Sequence, residues 1–323
     1  MSFKSCFKWW TVFILLIVHM PLVQAQTWPI RPVKILIPSP PGGGTDSLAR
    51  IISVKLKDRF GQAFLIENRT GAGGNVAGEV LFKSAPDGYT IMLTHPSPLV
   101  INKALYNSLN YDPELFSTIS LVATVPNVFI VSSKSSANNI RQLIAIAKAS
   151  AGKLNYASGG IGSTSHLASE LFNSMAGIEV VGIPHQGSSP ALLALLGGQV
   201  DMMFIELSTV LPYINSGKVR ALGVSGNKRT SYLTDVPAIS ETLPGFSGAV
   251  WFGIVGPPKM PLTLTEDLSH AVSEVLKLPD VMKQLSDMSL DAVGGSPIDL
   301  ANFMREESQR WADVIRKSGA RAN

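Results

Sequence analysis

Four times along this chain a short apolar run gives way to small residues and hydroxyls, and then to a stretch of helical spacing. Val33-Lys34-Ile35-Leu36-Ile37-Pro38 leads through Gly42-Gly43-Gly44 into residues 47–60, where Leu48, Ile51, Ile52 and Leu56 recur at helical intervals before Gly61 stops the helix. Residues 63–68 lead through Gly71-Ala72-Gly73-Gly74-Asn75 into a helix over 76–84. Pro86-Asp87-Gly88 then turns the chain into a third strand over 89–94. A second unit opens near Val128 and carries a helix over 140–149. Its strand 153–157 leads through Ser158 to Ser165 into helix 167–175, and strand 179–183 leads through Pro184 to Ser189 into helix 190–196. Strands over 200–204 and 219–224 complete it. Strands alternating with helices predict α/β units on parallel sheets with helical crossovers, and there are two of similar size. Beyond about residue 235 the pattern loosens into proline-rich connections, and two helices, 264–276 and 297–317, finish the chain.

The N-terminal segment follows a different rule. Lys4 and Lys8 precede an almost continuously apolar run from Thr11 to Val23, and Val23-Gln24-Ala25 places small residues where a signal peptidase reads. That order predicts a secretory signal peptide over residues 1–25, cleaved after Ala25. The alternative, a membrane anchor, needs roughly 20 apolar residues, more than this run supplies. Export takes with it Cys6, the only cysteine, so the mature chain has no disulfide and must stabilise itself by burial. Loss of the two leader lysines lowers the formal charge from +4 to +2. Signs alternate along the rest of the chain, which argues against a nucleic-acid partner. A monomer is expected.

In an open α/β sheet the loops at the carboxyl ends of strands gather where ligands bind. A helix start there offers unpaired N–H groups and a partial positive charge, and glycine lets a ligand approach the backbone. Taken alone, Gly42 to Gly44 read equally as a tight turn with Thr45 or Asp46 capping the helix. Four hydroxyl-rich loops of one design favour a ligand. Nucleotide motifs fail letter by letter: Ser47 and Ser165 stand where G-x-G-x-x-G needs its last glycine, and G-x-x-x-x-G-K-[ST] is absent.

Enzymatic readings fare no better. Gly223-Val224-Ser225-Gly226-Asn227 lacks the final glycine of a nucleophile elbow, and Ser150-Ala151-Gly152-Lys153 is too short a pattern to carry weight. His95, His166, His185 and His270 have no metal-binding spacing, so neither metal nor cofactor is expected. His95, His166 and His185 fall in or beside strand-end loops and suit hydrogen-bond donation to a ligand. An exported serine hydrolase is the runner-up.

"PPGGGTDSLAR", "ENRTGAGGNVAGE", "SAPDGYT", "GSTSHLASELF", "LLGGQVDMMF", "GKVRALGVS", "LTDVPAISE" and "FGIVGPPKMP" occur in an order that resembles the extracytoplasmic receptors of tripartite tricarboxylate transporters, the Bug proteins. The resemblance runs from about Trp28 to Trp311. It implies a two-domain α/β periplasmic binding protein of type II, joined by hinge-crossing strands near Pro126 and Ser225. Domain 1 would be discontinuous, residues 26–126 plus 226–323, and domain 2 would be 127–225. Such a receptor holds a small organic carboxylate through backbone N–H groups and hydroxyls and passes it to membrane permease subunits. A sensor partner without a permease is a further alternative. Carried over by position, the contacts would be Gly43, Gly44, Thr45 and Asp46, then Asn75, then Thr94 and Ser97. The second domain would add Ser158, Gly162, Ser163, Thr164 and His166, then Gln186, Gly187 and Ser188, with Asp201 at the next strand end. This chain departs from the family at His185-Gln186, where tyrosine and lysine are common, and at Thr94-His95-Pro96-Ser97.

Overall fold

Eleven strands form among residues 28–322, the part of the chain that the structure, a computed structural model, describes. The expected leader lies outside those residues. Contacts divide the chain after Ile30, and the unit considered below begins at Arg31. Its strands are β1 (Val33–Ile37), β2 (Phe64–Asn68), β3 (Thr90–Thr94), β4 (Ser117–Val125), β5 (Asn127–Ser132), β6 (Asn155–Ser158), β7 (Val181–Pro184), β8 (Met202–Glu206), β9 (Val219–Val224), β10 (Val250–Gly256) and β11 (Asp291–Ala292). They make a six-stranded sheet, β11-β4-β10-β3-β1-β2, and a five-stranded sheet, β7-β6-β8-β5-β9.

The crossover helices sit where hydrophobic spacing put them. α1 (Gly44–Phe60) joins β1 to β2, and α2 (Asn75–Phe82) joins β2 to β3. A short α3 (Asn102–Leu105) follows β3, and α4 (Ile140–Ala149) follows β5. α5 (Thr164–Ala176) and α6 (Ser188–Leu196) make the equivalent crossovers in the second sheet. α1 ends as its sequence dictates, at Gly61 with φ 71°, whose N–H bonds to the Lys57 carbonyl.

Both sheets are mixed rather than parallel. β1 runs parallel to β2 and β3, and β6 runs parallel to β7 and β8. β10 is antiparallel to β3 and β4, and β5 is antiparallel to β8 and β9. Local spacing reports that a segment is extended, not which way its neighbour runs. Direction here follows from chain crossings: β4 and β5 lie in different sheets with only Pro126 between them, and β9 and β10 lie in different sheets too. The proline-rich region after residue 235 also conceals β10, an entirely buried strand at the centre of the first sheet. α7 (Leu207–Asn215) follows β8, and α8 (Leu262–Leu276), α9 (Pro279–Asp287) and α10 (Pro297–Ser318) close the chain, so the last region holds three helices rather than two.

Two aromatic arrangements anchor the cores. In the second sheet Phe129 stacks on Phe204 at 4.3 Å, with Phe172 edge-on to Phe129 at 4.7 Å. In the first, the indole N–H groups of Trp251 and Trp311 both donate to the buried Glu307 carboxylate at 3.1 Å, tying β10 to α10. Glu307 is compensated by Arg310, whose guanidinium also donates to the Ser247 carbonyl.

The two crossings are hydrogen-bonded together. Asn127 N–H donates to Ser225 Oγ and Ser225 N–H donates to the Asn127 carbonyl, each at 2.8 Å. Asn127 Nδ2 donates to the Gly248 carbonyl and Gly248 N–H to the Ser225 carbonyl, each at 3.0 Å. Ser225, the would-be nucleophile of the elbow-like motif, is fully buried and works as backbone glue.

Candidate functional site

A cavity of about 500 Å³ opens where the carboxyl ends of the parallel strands of both sheets meet. Three helices begin on its wall: α1 with 17 residues, α5 with 13 and α6 with 9. The first α1 bond is donated by Ser47 N–H to the Gly43 carbonyl, so the N–H groups of Gly44 and Thr45 precede the helical ladder. Similarly, the first α5 bond comes from Leu167 and the first α6 bond from Ala191. Each of these ends carries a partial positive charge, and three converge on one space. Among the described residues no lysine or arginine lines it; the ionisable lining residues there are His95 and Glu206. Such a wall attracts an anion through backbone dipoles, with hydroxyls to orient it.

Of the residues expected at the site, Gly43, Gly44, Thr45, Ser97, Ser163, Thr164, Gly187 and Ser188 line the cavity. Ser163 also caps α5, its Oγ accepting from His166 N–H at 3.2 Å. The remainder lie elsewhere. Asp46 is buried, and its carboxylate is taken up by Gly42 N–H at 3.0 Å, by Arg50 Nε at 2.8 Å and by Asn68 Nδ2 at 3.0 Å. The Arg50 hydrogen bond, aided by Gly42 and Asn68, holds its pKa down at about 2 against the desolvation that opposes it. Asp46 thus shapes the glycine loop from beneath. Asn75 Oδ1 accepts from Asn102 and Tyr111. Thr94 is fully buried and donates to the His95 carbonyl. Ser158 is buried behind Gly159, its hydroxyl unpaired, and Gln186 is exposed outside the lining.

His166 Nδ1 accepts from Gly162 N–H at 3.2 Å, so both stabilise the loop without lining the cavity. Gly162, at φ +77°, is pressed against Leu105 of α3: a Cβ there would fall 2.2 Å from Leu105 Cδ2. Asp201 sits at the wrong end of its strand. It precedes β8 and accepts from Asn155 N–H at the start of β6, whereas the cavity lies at the far ends of both strands.

Other lining residues escaped the sequence-derived set: Asn127, Ile205, Glu206, Val250 and Phe252 among them. These belong to strands, inside or next to apolar runs, where no loop chemistry marks them. His95 did carry a signal. Its Nδ1 accepts Ser97 N–H at 3.3 Å and burial pushes its pKa down to about 4, so the neutral ring keeps its proton on Nε2 as a donor.

The sequence pattern that defines the tripartite tricarboxylate transporter family receptors, TctC, matches residues 48–320. The chain belongs to that family. The receptor is 35% identical over 302 residues to protein BugT of Bordetella pertussis, covering 93% of each chain. Among solved structures it is similar to R. palustris Rpa4515 with adipate, with a TM-score of 0.80 and 33% identity over 90% of this chain and 98% of that one. It is also similar to MatC from Rhodopseudomonas palustris with bound malate, with a TM-score of 0.77 and 32% identity over 89% and 100%. The fold is therefore that of the periplasmic binding proteins, two mixed α/β sheets linked by crossing strands. The receptor is a solute-binding protein rather than an enzyme, as its family is, and the buried, hydrogen-bonded Ser225 accords with that.

Proposed function

We propose that the receptor captures a small organic carboxylate in the 500 Å³ cavity and delivers it to the permease subunits of a tripartite tricarboxylate transporter. The observation that carries this reading is the convergence of three helix starts on a space that no lysine or arginine among the described residues lines. A carboxylate is small enough to be shared among backbone N–H groups and hydroxyls from both sheets, and its negative charge matches the dipole ends. The adipate and malate of the two solved relatives are acids of that kind. The two sheets act as two domains, residues 26–126 plus 226–323 and residues 127–225, that close on the ligand about the crossings. Residues 1–25 are the export signal, and the mature protein works as a monomer in the periplasm.

Gly44 provides the direct test. A Cβ there meets nothing within 4 Å and its φ is not positive, so Gly44→Val adds bulk at the cavity wall without strain. In a calorimetric screen of mono-, di- and tricarboxylates against the mature chain, at least one class should bind with 1:1 stoichiometry. Gly44→Val should weaken that binding by about tenfold or more while leaving the melting temperature unchanged. Unaltered affinity in the variant would remove the α1 start from the site.

A further inference from the structure

α5 belongs to two cores at once. Its residues Ala168, Phe172 and Ala176 are buried in the core of the second sheet, together with Tyr156, Phe129 and Phe204. Leu167, the position before Ala168, is 0% exposed and is buried instead in the core of the first sheet, in the cluster that holds Leu105, Trp251, Leu300, Trp311 and Ile315. Leu171, one turn further on, packs against both clusters. At the leading end of the helix Gly162 presses on Leu105 of α3, and Ala168 faces Gly248 beside the crossings. The chain ties α5 to the second sheet, since it joins β6 to β7. Its anion-attracting start is nevertheless held in place from the first.

We propose that Leu167 is a latch: inserted in the core of the first sheet, it holds the lobes built on the two sheets together and keeps the ligand-free receptor in its compact arrangement. The latch rests on the two-lobe closure proposed above and adds what holds the lobes together before a ligand arrives. Ser163 and Thr164 line the cavity, and Leu167 stands one turn behind them, outside the lining. A movement that carries the second lobe away from the first must draw Leu167 into water and uncover the cluster it leaves, which burial of apolar surface opposes. The empty cavity pushes the other way. Three helix starts converge on it, and their like partial charges repel until an anion lies between them. An apolar contact outside the cavity offsets that repulsion without placing a charge near the ligand. A receptor already compact binds with its intrinsic affinity, whereas one that is mostly open is weakened by the fraction that is closed.

Small-angle scattering and acrylamide quenching of the ligand-free mature protein test the latch. Leu167→Ala should enlarge the radius of gyration while far-ultraviolet circular dichroism stays unchanged. It should also raise the quenching of tryptophan fluorescence about twofold, as the population shifts to the open form. Trp251 and Trp311, each 1% exposed, sit in the cluster that the latch closes. Leu167→Met, which keeps the volume and the apolar character, should return both readings to the wild-type values. Wild-type radius and quenching in Leu167→Ala overturn the inference, even where the variant melts at a lower temperature, because lost packing alone lowers stability without parting the lobes. Expansion with loss of circular dichroism is unfolding. In that event Leu171→Ala, at a half-buried position, decides by the same two readings. Both readings are taken without ligand, so they stand apart from the carboxylate screen, whose failure would remove the ligand and not the latch.

Discussion

Asp46 shows how a residue that looks like a ligand contact becomes a support. It stands in the first turn of α1, where an acid favours the helix dipole, and the same position lets it bond Gly42 N–H across the loop. Arg50 and Asn68 complete its shell. Because its folded pKa is about 2 against an ordinary 3.8, the ionised form is the one that folding favours. Its contribution is complete above about pH 4 and is lost as pH falls toward 2. Asp46→Asn should therefore destabilise the protein at pH 7 and flatten the acid limb of its stability curve, measured by urea unfolding between pH 2 and 7. An acid limb identical to that of the wild type would assign it to other carboxylates. That Gly43, Gly44, Ser163 and Ser188 would line a common cavity was legible beforehand, because small residues and hydroxyls at a strand-to-helix junction gather at the strand ends. Asn127 and Glu206 were not, because each comes to line the cavity only when β5 and β8 pair.

Among the elements, the contact of the α5 loop with α3 is the most sharply constrained. Gly162 uses a positive φ and leaves no room for a methyl group beside Leu105. An alanine there strains the backbone by about 1–3 kcal/mol and collides with a buried side chain. Leu105→Ala, by opening a cavity, costs roughly 2–5 kcal/mol by itself. Because the two residues touch, their losses should not add: the double variant should lose less stability than the sum of the singles in a guanidinium double-mutant cycle. Strict additivity would mean that α3 yields to the new methyl group. Most of the helices were readable from spacing, α3, α7 and α9 excepted, and the Ser296 capping box with Asp299 and the Gly319 stop at φ 71° fix the ends of α10. β10 was hidden because Val250-Trp251-Phe252-Gly253-Ile254-Val255 is a continuous apolar run flanked by prolines, without the alternation that marks a half-exposed strand.

For the whole molecule the decisive feature is the pair of crossings, held by Asn127, Ser225 and Gly248. Ser225→Ala removes the acceptor for a buried N–H and should cost about 1–3 kcal/mol, seen as a lower melting temperature. If the sheets close about this junction, the same variant should also alter the contraction that a bound carboxylate produces in small-angle scattering. A normal melting temperature together with normal contraction would separate the junction from both stability and closure. The sequence by itself determined that there would be strands, crossover helices and glycine-rich loops at helix starts, since these follow from spacing and backbone freedom within a few residues. It also carried the ordered motifs that mark the family. Tertiary structure alone decided strand direction, the burial of β10, and the support roles of Asp46 and Ser225. It likewise set Asn127 beside Glu206, because each of these depends on a partner that arrives from a distant part of the chain and only folding chooses which.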